Sequence, residues 1–203
     1  MAVASLANIV EKKNTGSATS LLCQATASQL LVIDLQTKLL GTVPGKVRER
    51  VVNNTSLLLR AAWLLGVPIA TTTQYSKGLG PTDPDIGTQI PPATPHFEKT
   101  SFSCCGADGF SIHIADLKRP QVVIAGMEAH VCVLQSAFDL LAAGYQVFVL
   151  DDATCSRKLE NYHNALLRLH QGGVTITSAE SVIFEWLRDA RHEQFKVLSS
   201  FIR

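Results

Sequence analysis

The chain has 203 residues and a formal net charge of +1, with 46% hydrophobic and 17% charged residues. Its length suits one α/β domain with a substantial core. The balanced charge argues against a nucleic-acid partner without excluding one, and no apolar run reaches the roughly 20 residues that a membrane span needs. The five cysteines lack zinc-site spacing and favour a reducing, intracellular compartment over a disulfide framework.

Residues 1–28 differ in composition from the rest of the chain. They are rich in Ala, Ser, Thr and Asn, and Glu11 is their only acidic residue. An acid-poor, Ser-rich leader is typical of a mitochondrial transit peptide, but such leaders are rich in Arg and this segment offers only Lys12 and Lys13. We predict an N-terminal arm over 1–28 and one domain over 29–203. The compartment stays open between cytoplasm and mitochondrion.

From residue 29 onward, β-branched apolar runs alternate with helical patterns. We predict strands at 30–34, 69–73, 97–99, 121–126, 146–150 and 174–177. Helices are predicted at 46–65, 112–117, 132–143, 160–170 and 181–187, with a helical tail to residue 203. The proline-rich stretch 74–96 is predicted as a long loop, a feature that is usually functional in a compact domain. Repeated βα units predict a three-layer α/β/α fold around a six-stranded, mostly parallel sheet.

Three chemically active side chains fall at predicted strand ends. Asp34 ends the first strand, Lys99 follows the proline-rich loop, and Cys132 opens a helix directly after the strand 121–126. Carboxyl ends of parallel strands share one edge, so we expect the three to converge. A helix start favours the thiolate and lowers a cysteine pKa, and a carboxylate and an ammonium complete a nucleophilic site. The alternatives are a packing role for Cys132, a helix cap for Asp34 and a solvated cation for Lys99.

The segments around these residues resemble the signature segments of the isochorismatase-like cysteine hydrolases. The resemblance rests on residues 34–36, 97–103 and 126–133, with downstream support at 152–157, His163 and 173–180. Residues 74–82 resemble the branch called isochorismatase domain-containing proteins, some of which carry the label of mitochondrion-associated ribonuclease. The resemblance covers roughly residues 30–186 in the family's order.

The resemblance implies a mechanism and a set of site residues. Asp34, Lys99 and Cys132 would form a catalytic triad that cleaves a small amide or related substrate through a thioester. A cis peptide bond at Met127–Glu128 would aim backbone N–H groups, including that of Cys132, at the developing oxyanion. The residues predicted to contact the substrate are Gln36, Tyr75, Phe102 and His130, with Leu79 also on the apolar wall.

The sequence also departs from metal-dependent relatives in the family. Where nicotinamidases carry an Asp-x-His metal site, this chain reads Gln74-Tyr75-Ser76, so we predict no metal and no cofactor. Three function classes remain open: a small-molecule cysteine hydrolase, which we favour; a ribonuclease; and a noncatalytic binding protein on the same fold. The high apolar content predicts a homo-oligomer. The resemblance implies the same, because subunits of the family commonly pack together.

Overall fold

The computed structural model describes residues 21–202. Within them, six strands form a single sheet in the order β3-β2-β1-β4-β5-β6, and every strand pairing is parallel. The sheet confirms the fold predicted from the alternating pattern. The strands are β1 (Ser28–Ile33), β2 (Ile69–Gln74), β3 (His96–Lys99), β4 (Gln121–Met127), β5 (Gln146–Cys155) and β6 (Thr175–Thr177).

Helices cover both faces of this sheet. One core cluster joins one face of the sheet to the long helix between β1 and β2 and to the two helices after β6. A second cluster joins the other face to the helices on either side of β4 and to the helix between β5 and β6, so the fold has the three predicted layers. Short 3₁₀ and π-helical turns occupy Cys104–Gly106 and Ala129–Val133. The helices are α1 (Thr37–Leu40), α2 (Gly45–Leu64), α3 (Ser76–Leu79), α4 (Pro84–Gly87), α5 (Phe110–Asp116), α6 (Leu134–Ala142), α7 (Leu159–Gln171), α8 (Ala179–Leu187) and α9 (Phe195–Phe201).

The order of the strands places a crevice beside β1. The chain builds β1, β2 and β3 outward to one edge and then returns to place β4 on the other side of β1. The connections after β1 and β4 therefore leave in opposite directions, which opens the ligand-binding crevice of doubly wound sheets at their carboxyl ends. Gly126 permits the close approach of the two strands here. A Cβ at Gly126 would lie 2.1 Å from the carbonyl oxygen of Ile33, and its φ of +137° is one that side chains rarely adopt.

The stretch 74–96 has more regular structure than the sequence pattern predicts. It contains α3 and α4, and the Asp83 carboxylate caps α4 by accepting from the backbone N–H of Asp85 at 3.2 Å. Arg48 of α2 ties this segment to the domain through an ion pair with Asp83 at 2.9 Å. The prediction of one long loop is therefore wrong. The two short helices are stabilised by a local cap and an ion pair, which leave no periodic pattern in the sequence.

Three other boundaries also differ from the prediction. β5 continues five residues beyond 150 to Cys155, because the polar pair Asp151 and Asp152 stays within the strand. α6 begins at Leu134, so Cys132 lies in the preceding π-helical turn and does not open the α-helix. A non-helical stretch separates α8 from α9, where the pattern predicts a continuous helical tail.

Only the end of the predicted N-terminal arm can be compared with the structure, because residues 1–20 lie outside the described part. Ser28 already belongs to β1. Upstream of it, Cys23 is fully buried and its backbone N–H donates to the Glu185 carboxylate at 2.7 Å. The last residues of the predicted arm are thus packed against the domain. Among residues 21–202, no helix has both the length and the apolar character required to cross a membrane.

The contact between β1 and β4 makes the Gly126→Ala variant a direct test of this architecture. We expect it to lower the free energy of unfolding by at least about 3 kcal/mol, because the new Cβ meets backbone atoms that cannot move aside. Chemical denaturation at equilibrium measures the loss. Gly45→Ala is the matched control, since Gly45 begins α2 with open space around its Cα and should change stability by less than about 1 kcal/mol. Equal effects of the two variants would contradict the close approach.

Candidate active site

Asp34 stands where β1 ends and the chain turns into the crevice. Its φ of 51° turns the backbone out of the strand, while its N–H still donates to the carbonyl oxygen of Thr72 on β2 at 3.2 Å. The side chain is fully buried. One carboxylate oxygen, Oδ1, accepts the Thr72 hydroxyl at 2.7 Å, and the other, Oδ2, faces Lys99. The carboxylate is therefore held at both oxygens, which fixes its direction.

Lys99 is the last residue of β3, and its side chain is as buried as that of Asp34. Its Nζ lies 2.6 Å from Asp34 Oδ2 and 2.7 Å from Gln74 Oε1. It also donates to the backbone carbonyl of Phe102 at 3.1 Å and, at the longer distance of 3.4 Å, to that of Ser101. The alternative of a solvated surface cation is wrong. All three ammonium protons have protein acceptors, which is the condition under which a buried charge is tolerated.

Cys132 lies in the π-helical turn on the other side of β1, with 6% of its surface exposed. Burial and, to a lesser degree, the charge of Asp34 raise the pKa of its thiol to about 12, against a smaller opposing effect of Lys99. The expectation of a pKa lowered by a helix start is therefore wrong, because desolvation outweighs the local dipole. The thiol is protonated at neutral pH. Asp34 is close enough for its carboxylate to influence the thiol, so a base for the thiol proton lies nearby.

Gln74 joins the site although its residue type did not single it out in the sequence. It ends β2, and the register of the sheet pairs it with Lys99. Its Oε1 accepts from Lys99 and lies 3.9 Å from Cys132 Sγ, while its Nε2 donates to the carbonyl oxygen of Thr100 at 2.7 Å. The signal that the sequence offered for Gln74 was its position at the end of β2, the strand next to the one that ends at Asp34. Glutamine itself carries no characteristic reactivity, so the pattern alone gave it no role.

Gln36 lies inside the fold, next to the site. Its side chain is fully buried, and its Nε2 donates to the carbonyl oxygens of Gln74 and Gly80 at 3.1 and 2.6 Å. Its Oε1 accepts the backbone N–H of Gln74 at 2.9 Å. These bonds use both ends of the amide to hold the segment around α3. These bonds give Gln36 a structural role, and its contact with a substrate stays a prediction from the sequence.

Tyr75 and Phe102 contact Lys99 through their backbones. The backbone N–H of Tyr75 donates to the carbonyl oxygen of Lys99 at 2.8 Å, and the carbonyl of Phe102 accepts from the Lys99 ammonium. Both side chains remain more than half exposed, at 52% and 54%. Leu79, in α3, is partly exposed. Two aromatic rings beside the reactive groups suit contact with a substrate or with a neighbouring chain.

The turn that carries Cys132 begins at a cis peptide bond between Met127 and Glu128. Met127 is completely buried, and the nearly buried Glu128 carboxylate accepts from the backbone N–H and the Nε of Arg157 at 3.1 and 2.9 Å. His130 is held on both ring nitrogens, by Ser156 Oγ at 3.0 Å and Asn161 Nδ2 at 3.2 Å. These bonds fix the turn against the end of β5 and leave about a fifth of the His130 side chain exposed.

A second thiol lies behind the site. Cys104 is fully buried, with its Sγ 3.9 Å from the Thr72 hydroxyl that donates to Asp34. Its backbone N–H donates to Ser136 Oγ, one helical turn after Cys132, at 2.9 Å. Burial raises its pKa to about 12. Its neighbour Cys105 is the more exposed of the two, and neither forms a disulfide.

Metal ligands are not grouped in the part of the chain that the structure describes. There, no three His, Cys, Asp or Glu side chains lie together in a way that could hold a metal ion. The polar side chains around Gln74 are the Gln36 amide, the Lys99 ammonium and the Cys132 thiol. The independence of the site from metal stays a prediction from the sequence.

Comparison with known proteins gives matches that span most of the chain. The isochorismatase domain matches residues 28–181. Isochorismatase domain-containing protein 2 of Danio rerio is 36% identical over 177 residues, or 86% of each chain. The solved MAR1 ribonuclease from Caenorhabditis elegans shares 35% identity with a TM-score of 0.82 over 89% of this chain and 92% of that one. YcaC from Pseudomonas aeruginosa, solved with hexane-2,5-diol and covalent acrylamide, shares 25% identity with a TM-score of 0.84 over 91% and 93%.

The buried ion pair predicts a large effect of the Lys99→Met variant on stability. Removing the ammonium leaves the Asp34 carboxylate buried without its counter-charge, so we expect a loss of about 3–5 kcal/mol in the free energy of unfolding at pH 7. Adding Asp34→Asn should recover much of that loss, because the orphaned charge is then removed. Lys38→Met is the control, since Lys38 is exposed and donates only to the carbonyl oxygen of Gly78. Thermal and denaturant unfolding measure all three variants. A Lys99→Met effect as small as the control's would show that the pair is unimportant.

Proposed function

The chain belongs to the isochorismatase family, and on that premise we propose that it is a cysteine hydrolase acting on a small amide or a related polar substrate. The observation that carries the proposal is that a nearly buried thiol feels the charge of a carboxylate that is itself fixed by a buried ammonium. A nucleophile, its base and the group that orients the base are the three parts that covalent catalysis requires.

In the first step the Asp34 carboxylate takes the proton of the Cys132 thiol as the sulfur attacks the carbonyl carbon of the substrate. The new S–C bond forms as the carbonyl π electrons move to oxygen, so a tetrahedral intermediate carries one negative charge there. Backbone N–H groups at the Met127–Glu128 turn and at Cys132 are our candidates for the groups that stabilise it. Lys99 balances the charge of the site throughout.

In the following steps the proton on Asp34 passes to the leaving nitrogen, the C–N bond breaks, and ammonia or an amine departs. The acyl group stays on Cys132 as a thioester. Water then attacks the thioester carbon while Asp34 accepts the proton of that water, and collapse of the second intermediate releases the carboxylic acid and restores the thiol. Each step needs the same carboxylate, which explains why both of its oxygens are held by fixed donors.

The substrate contacts we propose are the side chains that the site leaves accessible. Tyr75 and Phe102 supply an apolar border, and the partly exposed His130 supplies a polar atom on the side of Cys132. An apolar border with few polar groups suits a compact organic amide. The covalent acrylamide in the P. aeruginosa relative supports a site that accepts small carboxamides.

A ribonuclease is the second candidate, and it is supported by the name of the C. elegans relative. The chain itself has 6% aromatic residues and no arginine-rich stretch, whereas RNA-binding surfaces combine stacking platforms with cationic grooves. The acid–base arrangement around Cys132 also speaks against a purely noncatalytic binding protein. The amidase remains the function that the geometry supports best.

A direct test compares amide hydrolysis with RNA cleavage in the same purified protein. We expect release of ammonia or amine from at least one member of a panel of small primary amides, and at least about a 1000-fold loss in the Cys132→Ala variant, because the nucleophile is gone. Cys105→Ala is the control and should keep full activity. The expected result with RNA is no cleavage above the level of Cys132→Ala. RNA cleavage that needs Cys132, without amide hydrolysis, would reverse the assignment.

We also propose that the chain forms a homo-oligomer. In the isolated chain, large apolar side chains are exposed beside the site and elsewhere, including Trp63 at 64% and Ile112 at 70%. Such surfaces commonly mark contacts between chains. We expect light scattering coupled to size exclusion to give a mass that is a multiple of 21.9 kDa at micromolar concentration. A monomer of 21.9 kDa under those conditions would contradict the proposal.

A further inference from the structure

The orientation of the Gln74 amide is fixed by its two partners. An ammonium can only donate and a backbone carbonyl can only accept, so the oxygen must face Lys99 and the nitrogen must face the carbonyl of Thr100. Turning the amide over would place its NH₂ against the ammonium and its oxygen against the carbonyl. The oxygen is therefore the atom that Gln74 presents to the thiol of Cys132, at 3.9 Å.

This oxygen favours the protonated form of the thiol. A thiol can donate weakly to it, whereas a thiolate at the same place would face its lone pairs. The oxygen also takes one of the three Lys99 protons, and the other two go to Asp34 and to the carbonyl of Phe102. Before a substrate binds, the Gln74 oxygen thus accepts the ammonium proton that could otherwise stabilise a thiolate.

We propose that Gln74 is a positioning residue that keeps Cys132 protonated in the empty site and releases it when a substrate N–H takes over the Gln74 oxygen. The proposal rests on the proposed role of Cys132 as the nucleophile. It also narrows the substrate class to amides that carry at least one free N–H, since a tertiary amide has no donor for this oxygen. Activation of the thiol would then coincide with the arrival of the substrate.

The test follows the alkylation rate of Cys132 by acrylamide as a function of pH, with mass-spectrometric mapping of the modified residue. Gln74→Met keeps the length of the side chain but removes the oxygen, so access to the thiol stays similar. We expect its profile to move to lower pH by about one unit, which is about a tenfold faster reaction at a fixed pH below the thiol pKa. Gln74→Glu places a negative charge there, and its profile should move to higher pH.

Two controls separate the proposal from a purely structural role. The Gln36 side chain bonds to the main-chain N–H and carbonyl of Gln74, and both groups are kept in either variant. Cys105 is an internal reference whose rate should be the same in every variant. Gln171→Met, at the exposed end of α7, should leave the profile of Cys132 in place.

The outcomes are distinguishable. Opposite shifts for Gln74→Met and Gln74→Glu support the proposal, and Gln74→Leu, which also lacks the oxygen and adds no charge, takes the place of the Met variant if that one fails to fold. Labelling of Cys132 with an unmoved profile, or with shifts in the same direction for both variants, would overturn the role of Gln74 and leave the nucleophile intact. A native protein in which Cys105 reacts and Cys132 does not would overturn the proposed function itself.

Discussion

The ion pair between Asp34 and Lys99 is the interaction on which the rest of the site depends. Both side chains are completely buried and their charged atoms are 2.6 Å apart. Burying two charges costs several kcal/mol per ion unless every remaining proton and lone pair finds a partner. Here the partners come from the neighbouring strand and the following loop, through the Thr72 hydroxyl, the Gln74 amide and the carbonyl of Phe102. Such a pair contributes little to stability by itself, but it fixes a carboxylate in one direction, and that direction is toward the thiol.

The parallel sheet supplies the geometry that makes this pair possible. Three adjacent strands end at the same edge and deliver Asp34, Gln74 and Lys99 side by side, while β4 on the other side of β1 leads into the turn of Cys132. The thiol is then placed in a dry environment that raises its pKa to about 12. A reactive thiolate in the resting enzyme is therefore not the operating principle of this site. In the mechanism that we propose, the thiol is activated by proton transfer to the Asp34 carboxylate, and Gln74 links that event to substrate binding.

The sequence predicted the sheet, its helices and the strand-end positions of Asp34, Lys99 and Cys132, because βα periodicity places strand ends on one edge. It missed Gln74 because that contact depends on the register that pairs Gln74 with Lys99, which no local pattern encodes. It assigned the wrong direction to the thiol pKa because a helix-start argument counts nearby dipoles and leaves out burial. The structural bonds of Gln36 were missed for a similar reason. Its position near Asp34 was visible in the sequence, but the backbone groups that bond to its amide come from a segment whose two short helices carry no periodic signal.

The most direct test of this account is a double-mutant cycle on the rate at which the protein hydrolyses a small primary amide, with Asp34→Asn and Lys99→Met as the single variants. If the pair acts as one unit on the thiol, each single variant should lower that rate. The double variant should then be about as slow as Asp34→Asn alone, because removing the base already removes what Lys99 orients. Single effects that multiply in the double variant would contradict a shared role, as would hydrolysis at the native rate in all three variants.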